Sequence, residues 1–178
     1  MQDWLTTIAS VTIGGLIAAV STWFNDGRIT KRGRERRKEE RNERLIARNN
    51  EFQRETLLAL QVASQKLIRN AGASLHQDIV AHRTTGKWHK QPLPNGLSDE
   101  QMELTTQVML LANRVRDDQV RQLVDEFRIR LNHVFQTSGE VESEFMLLSA
   151  GSIQGPLLDQ IGQILRDLDS ADKDISSL

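Results

Sequence analysis

The chain has no cysteine and no tyrosine, and its 178 residues include only three prolines, three tryptophans and five phenylalanines. Without cysteine there is no disulfide framework, no thiolate nucleophile and no Cys-ligated zinc. The scarcity of aromatics leaves little material for an aromatic-lined ligand pocket. An excess of one charge is missing too: 23 basic residues face 24 acidic ones, so net charge singles out no partner. Catalytic signatures are equally absent. There is no Gly-x-Ser-x-Gly, no His-Glu-x-x-His and no Glu-x-x-His pair. Gly86-Lys87 has the ending of a phosphate loop, but Ala81 stands where its first glycine belongs and Trp88 follows the lysine. The four histidines (His76, His82, His89, His133) share no ligand-like spacing. Asp78 and His82, one helical turn apart, read as a surface hydrogen bond. The chain is therefore not read as an enzyme, and no cofactor or metal is expected.

What is present begins with Trp4–Phe24, WLTTIASVTIGGLIAAVSTWF, 21 residues without a charge. As a helix rising 1.5 Å per residue it covers roughly 31 Å, the thickness of a hydrocarbon core. Trp4 at one end and Trp23-Phe24 at the other fall where an interfacial aromatic belt lies. A soluble core helix seldom runs so far without a charged position, since one of its faces usually meets water. A cleaved signal peptide needs a basic leader, whereas Met1-Gln2-Asp3 carries only an acid. The basic residues come afterwards, so the expectation is an uncleaved single-pass anchor (1–27) in the cell membrane, N-terminus outside and the rest cytoplasmic.

Thr6, Ser10, Gly14, Ala18 and Thr22 recur every four residues and form a ridge of small side chains on that helix. Such a ridge lets two membrane helices approach closely, which predicts a homo-oligomer. Next comes a basic helical stalk (28–48) with ten basic and four acidic residues. Its leading cations, Arg28, Lys31, Arg32, Arg34, Arg36, Arg37 and Lys38, are candidate contacts for anionic lipid headgroups, each worth about 1 kcal/mol near the surface. The same charges also serve as an orientation signal that needs no ligand. Nucleic acid is not expected as a partner, because the stalk has neither an aromatic for stacking nor a nucleic-acid motif.

From residue 49 the pattern is amphipathic. Phe52, Leu57, Leu60, Ala63, Leu67, Ala71, Leu75 and Ile79 predict a helix to about residue 83. Residues 84–97, with Gly86, Pro92, Pro94 and Asn95-Gly96, read as a loop in which Trp88 folds back to cap the core. Ser98 with Gln101 reads as a capping box, flanked by a Leu97–Met102 staple. Asp117-Asp118 restarts a helix that carries Val120, Leu123, Val124, Phe127, Leu131, Val134 and Phe135 on one stripe. Val141, Phe145 and Leu148 mark a short helix ending at Gly151, and Pro156 opens a last one to about residue 169. The tail, 170–178, reads as frayed. The predicted fold is all-α: a single N-terminal transmembrane helix, a long helix, and an antiparallel cytoplasmic helical bundle over 49–169. Charge is unequal along it, with 16 basic and 7 acidic residues over 28–90 but 7 and 15 over 99–178.

This plan resembles that of small single-pass membrane proteins of actinobacteria and their phages. The resemblance rests on IASVTIGGLIAAVSTWF, the Arg-rich helix after it, and a helical remainder broken at ANRVRDDQV. It implies a membrane-tethered helical domain and carries no chemistry with it. The functional expectation is an interaction or regulatory protein at the cytoplasmic face, with membrane lipids, further copies of itself and a protein as partners. The alternative is a membrane-active protein, holin-like or phage-excluding, whose assembled anchors perturb the bilayer.

Overall fold

The computed structural model describes the backbone of residues 3–88, 90–91 and 96–176, and side chains over 33–88, 90–91 and 96–173. Among the described residues there are four α-helices and no strand: α1 (Asp3–Thr85), α2 (Leu97–Ala112), α3 (Asp118–Gln136) and α4 (Glu140–Ser176). Among the residues whose side chains are described, no helical stretch is long and apolar enough to cross a membrane. The uncharged run Trp4–Phe24 and its ridge Thr6, Ser10, Gly14, Ala18 and Thr22 lie outside the described side chains, as do Arg28, Lys31 and Arg32. The chain divides into two compact units, Met1–Ala47 and Arg48–Leu178.

The second unit is a helical bundle, and its core follows a seven-residue rhythm. On α1, Asn50, Gln53, Leu57, Leu60, Ser64, Leu67, Ala71, Ser74 and Asp78 step by three and four residues, and all are buried. On α3 the same step carries Val120, Val124, Phe127, Leu131 and Val134, again all buried. Leu104, Val108, Leu111 and Val115 repeat it on and just after α2. On α4 the seam runs Ser143, Leu147, Ala150, Leu157, Ile161, Ile164 and Leu168. A 3.5-residue period keeps one seam facing its neighbours when helices cross at about 20°, the shallow angle of bundles.

Side-chain contacts fix the directions. Asn50 bonds Asp172, Ile68 lies against Gly151, Leu147 against Gly72, and His82 against Glu140, so α1 and α4 run antiparallel. Gln53 near the start of the α1 seam reaches the α2–α3 turn, and Lys90 reaches Val134 near the end of α3. The order is therefore up, down, up, down, the short-loop solution for four amphipathic helices. Phe127, fully buried, is the largest of the deeply buried side chains. Truncating a core phenylalanine typically costs about 3–5 kcal/mol.

Local chemistry explains most boundaries. Asp117 caps α3: its Oδ1 accepts from the Val120 backbone N–H at 2.8 Å, as the sequence predicts. Ser98 does not cap α2. The N-cap is Gly96 at φ 89°, and no side chain bonds there. The left-handed glycine starts the helix two residues earlier, which places Ser98 within the first turn, and Asp99 and Glu100 supply the negative charge that the helix N-terminus favours. Met102 is two-thirds exposed, so no Leu97–Met102 staple forms.

Gly151 and Pro156 do not divide α4, which runs unbroken from Glu140 with Pro156 inside it. Pro156 and Ser152, whose carbonyl loses its helical partner to the proline, are both exposed, on the solvent side of the helix. Buried Ala150 on one side and Leu157 and Ile161 on the other hold both halves to one core. The end of the chain is helical as far as Ser176. Arg54 ties it down: its Nη2 donates to Asp169 at 2.9 Å and to Asp172 at 2.8 Å.

Candidate functional site

Polar residues occupy both ends of the α1 seam, and each end fastens a connection. Gln53, buried, spans the α2–α3 turn with both ends of its amide. Nε2 donates to the Arg114 carbonyl at 2.9 Å, and Oε1 accepts from the Arg116 N–H at 3.0 Å. Nearby, Arg54 is surrounded by Asp172, Asp169 and Glu51, which raise its pKa further. Arg54 and the Asn50 amide in turn hold the Asp172 carboxyl below the usual carboxylate range.

At the other end sits Asp78, its side chain only 3% exposed. Oδ1 accepts from the Gln91 backbone N–H at 2.6 Å, and Oδ2 lies 3.3 Å from Lys90 Nζ. Lys90 also donates to the Val134 carbonyl at 2.8 Å and to Ser143 Oγ at 3.3 Å. Ser143 is bonded in turn to Thr137. One carboxylate and one ammonium thus join α1, the connection to α2, the end of α3 and the start of α4. Trp88 folds back over this latch, 5.1 Å from Lys90 Nζ to the ring centroid and edge-on to His82 at 5.6 Å. His82 Nδ1 meets Glu140 Oε2 at 2.7 Å. The expected surface contact between Asp78 and His82 does not form. Both stand on α1 one turn apart, but Asp78 points into the seam and His82 toward α4, where each finds its own partner.

The Lys90 ammonium has hydrogen-bond acceptors in Val134 and Ser143, and the Asp78 carboxylate lies within ion-pair distance of it. The arrangement fastens chain segments together. No group of three or more potential metal-ligating side chains occurs among the described residues. Concavities among the described residues include shallow grooves, such as that of about 340 Å³ between α2 and α3 lined by Gln101, Met102, Thr105, Asn132 and Phe135.

The surface is more informative. Val141, Phe145 and Leu148 occupy one face of α4 at i, i+4 and i+7 and are 80%, 63% and 74% exposed. Periodicity alone reads this trio as a buried stripe, but the core takes the neighbouring seam through Ser143, Leu147 and Ala150. Contiguous exposed apolar side chains of this kind mark contact surfaces. Phe52, read as part of the α1 core stripe, is likewise half-exposed. Of the candidate lipid contacts, Arg34, Arg36, Arg37 and Lys38 are described, and all four are exposed on α1.

No protein-family model, no curated protein and no solved structure matches this chain.

Proposed function

We propose that the protein is a membrane-tethered helical interaction module acting at the cytoplasmic face, assembled as a homo-oligomer. One observation carries the reading: 21 consecutive uncharged residues of bilayer-spanning length, followed at once by ten basic and four acidic residues. The apolar face Val141–Phe145–Leu148 supports the interaction part of it, as the surface that a protein partner covers. The ridge Thr6, Ser10, Gly14, Ala18 and Thr22 supports self-association within the bilayer. Arg28, Lys31, Arg32, Arg34, Arg36, Arg37 and Lys38 stand where anionic headgroups lie.

Alkaline carbonate extraction of membranes from cells expressing the full chain tests the tether. Retention in the pellet, and release when Leu16 and Ile17 are both replaced by Asp, is the expected result. Release of the parent chain overturns the reading. A second reading, in which assembled anchors perturb the bilayer, is favoured by the three hydroxyls of the ridge. Dye leakage from liposomes on addition of the protein separates it from the first.

A further inference from the structure

The helix over residues 33–47 carries its charges in two opposed stripes. At about 100° per residue, Arg34, Arg37, Lys38, Arg41 and Arg44 fall within an arc of roughly 120°. Glu35, Glu39 and Glu43 fall within about 80° on the far side, and the two stripe centres are roughly 160° apart. All eight side chains are exposed.

This placement puts like charges next to one another. Glu35, Glu39 and Glu43 are successive i,i+4 neighbours, and so are Arg34 with Lys38 and Arg37 with Arg41. Each such pair disfavours the isolated helix, whereas interleaved signs would have stabilised it. Opposite signs do neighbour each other at i,i+3 in Arg36–Glu39, Glu35–Lys38 and Arg37–Glu40, and Glu40 pairs with Arg36, which lies beside the acidic stripe, at 3.4 Å and with Arg44 at 3.8 Å. None of Glu35, Glu39, Glu43, Arg34, Lys38 or Arg41 has an ion-pair partner among the described residues. The two stripes complement each other in charge and, apart from Glu35 and Lys38 where their edges adjoin, lie on opposite sides of the helix.

We propose that the partner of each stripe is the opposite stripe of a second copy of this chain, with the helices parallel. Arg34, Arg37 and Arg41 of one copy face Glu35, Glu39 and Glu43 of the next. The interface is therefore head-to-tail, using two different surfaces, and every copy added leaves one stripe of each sign open. Because the stripes are nearly opposite, the assembly extends as a row and does not close as a dimer. Parallel alignment rests on the membrane tether proposed above, which gives every copy the same orientation.

Single-cysteine variants of the full chain test this, since the chain has no cysteine of its own. Arg41→Cys chains and Glu39→Cys chains are reconstituted in neutral-lipid vesicles, separately and mixed, and treated with a short bismaleimide. The expected result is about tenfold more linkage in the mixture than in either alone, corresponding to about 1.4 kcal/mol, within reach of the two exposed ion pairs that remain once Arg41 and Glu39 are replaced. Linkage falls as salt rises from about 0.05 M to about 0.5 M. It is lost when Glu35, Glu39 and Glu43 of the Arg41→Cys chain and the two remaining acids of the Glu39→Cys chain become Lys. A chain with Arg34→Glu, Arg37→Glu and Arg41→Glu, given Lys38→Cys, links instead to a Glu35→Lys, Glu43→Lys chain given Glu39→Cys. Equal linkage of like with like, indifference to salt and charge reversal, or linkage that arises only with anionic lipid each overturns the proposal. The vesicle-bound fraction, measured on the same samples before linking, reports the tether separately. Failure to bind vesicles refutes the tether, while the pattern of linkage still decides the pairing.

Discussion

Replacing Asp78 by Ala removes the carboxylate on which the α1–α2 connection is fastened. The charge-assisted bond from the Gln91 N–H is worth about 1.5–3 kcal/mol. Lys90 loses its counter-ion as well, but its side chain is one-third exposed and keeps the Val134 carbonyl and Ser143, so water and these acceptors take up the ammonium. The expected cost is about 2–3 kcal/mol. Lys90→Met is the harsher change, because it strands a carboxylate that solvent barely reaches, and breaking a buried pair from that side costs about 3–5 kcal/mol. The double variant should recover part of the loss, since neither charge is then left alone. Urea titration of the full chain in mild detergent, followed by circular dichroism, reads all three. At a slope of about 1–3 kcal/mol per molar urea, Asp78→Ala moves the midpoint down by about 0.7–3 M. An Asp78→Ala midpoint matching the parent, or a Lys90→Met variant no less stable than Asp78→Ala, would refute the reasoning.

Other substitutions probe separate parts of the structure. Pro156→Ala restores the N–H that the Ser152 carbonyl lacks on a solvent-facing turn, and should stabilise the chain by about 1–3 kcal/mol; a lower melting temperature would contradict this. Gly86→Ala, at φ 69°, should cost about 1 kcal/mol through backbone strain, read in the same urea titration. Replacing Val141, Phe145 and Leu148 by Ser should change stability by less than about 0.5 kcal/mol per site, yet reduce binding of a hydrophobic dye by the folded chain. The Asp172 carboxyl is depressed in the fold by Arg54 first and Asn50 second. Its contribution is therefore complete above the unfolded carboxyl pKa of about 3.9 and fades as pH falls through the lower folded value. The melting-temperature gap between the parent and Asp172→Asn should be widest at neutral pH and close on acidification below about pH 4. A gap constant with pH would contradict the pairing.

The helical class, the Asp117 cap and the α3 stripe were legible because each is a local signal that packing leaves in place. The α1 seam was only half legible. Its apolar members stand out, but Asn50, Gln53, Ser64, Ser74 and Asp78 share its seven-residue step and are buried beside them. A polar residue at a core position becomes intelligible only when its partner is known, and those of Gln53 and Asp78 lie in connections 61 and 13 residues further on. The opposite error arises at Val141, Phe145 and Leu148, where apolar spacing does not say which of two adjacent stripes the core takes. Pro156 misleads for a third reason: its local cost is outweighed by apolar contacts on both sides. The charge stripes of residues 34–44 could be read from spacing alone, once like charges at i,i+4 are treated as a signal and not merely as net charge.

The topology of the tether is the claim on which the functional account stands, and cysteine accessibility tests it directly. Gln2→Cys and Ser152→Cys chains, each carrying one thiol, are exposed to a membrane-impermeant maleimide in right-side-out and inside-out membrane vesicles. The account predicts labelling of Gln2→Cys only in right-side-out vesicles and of Ser152→Cys only in inside-out ones. Labelling of both positions from the same side would contradict it.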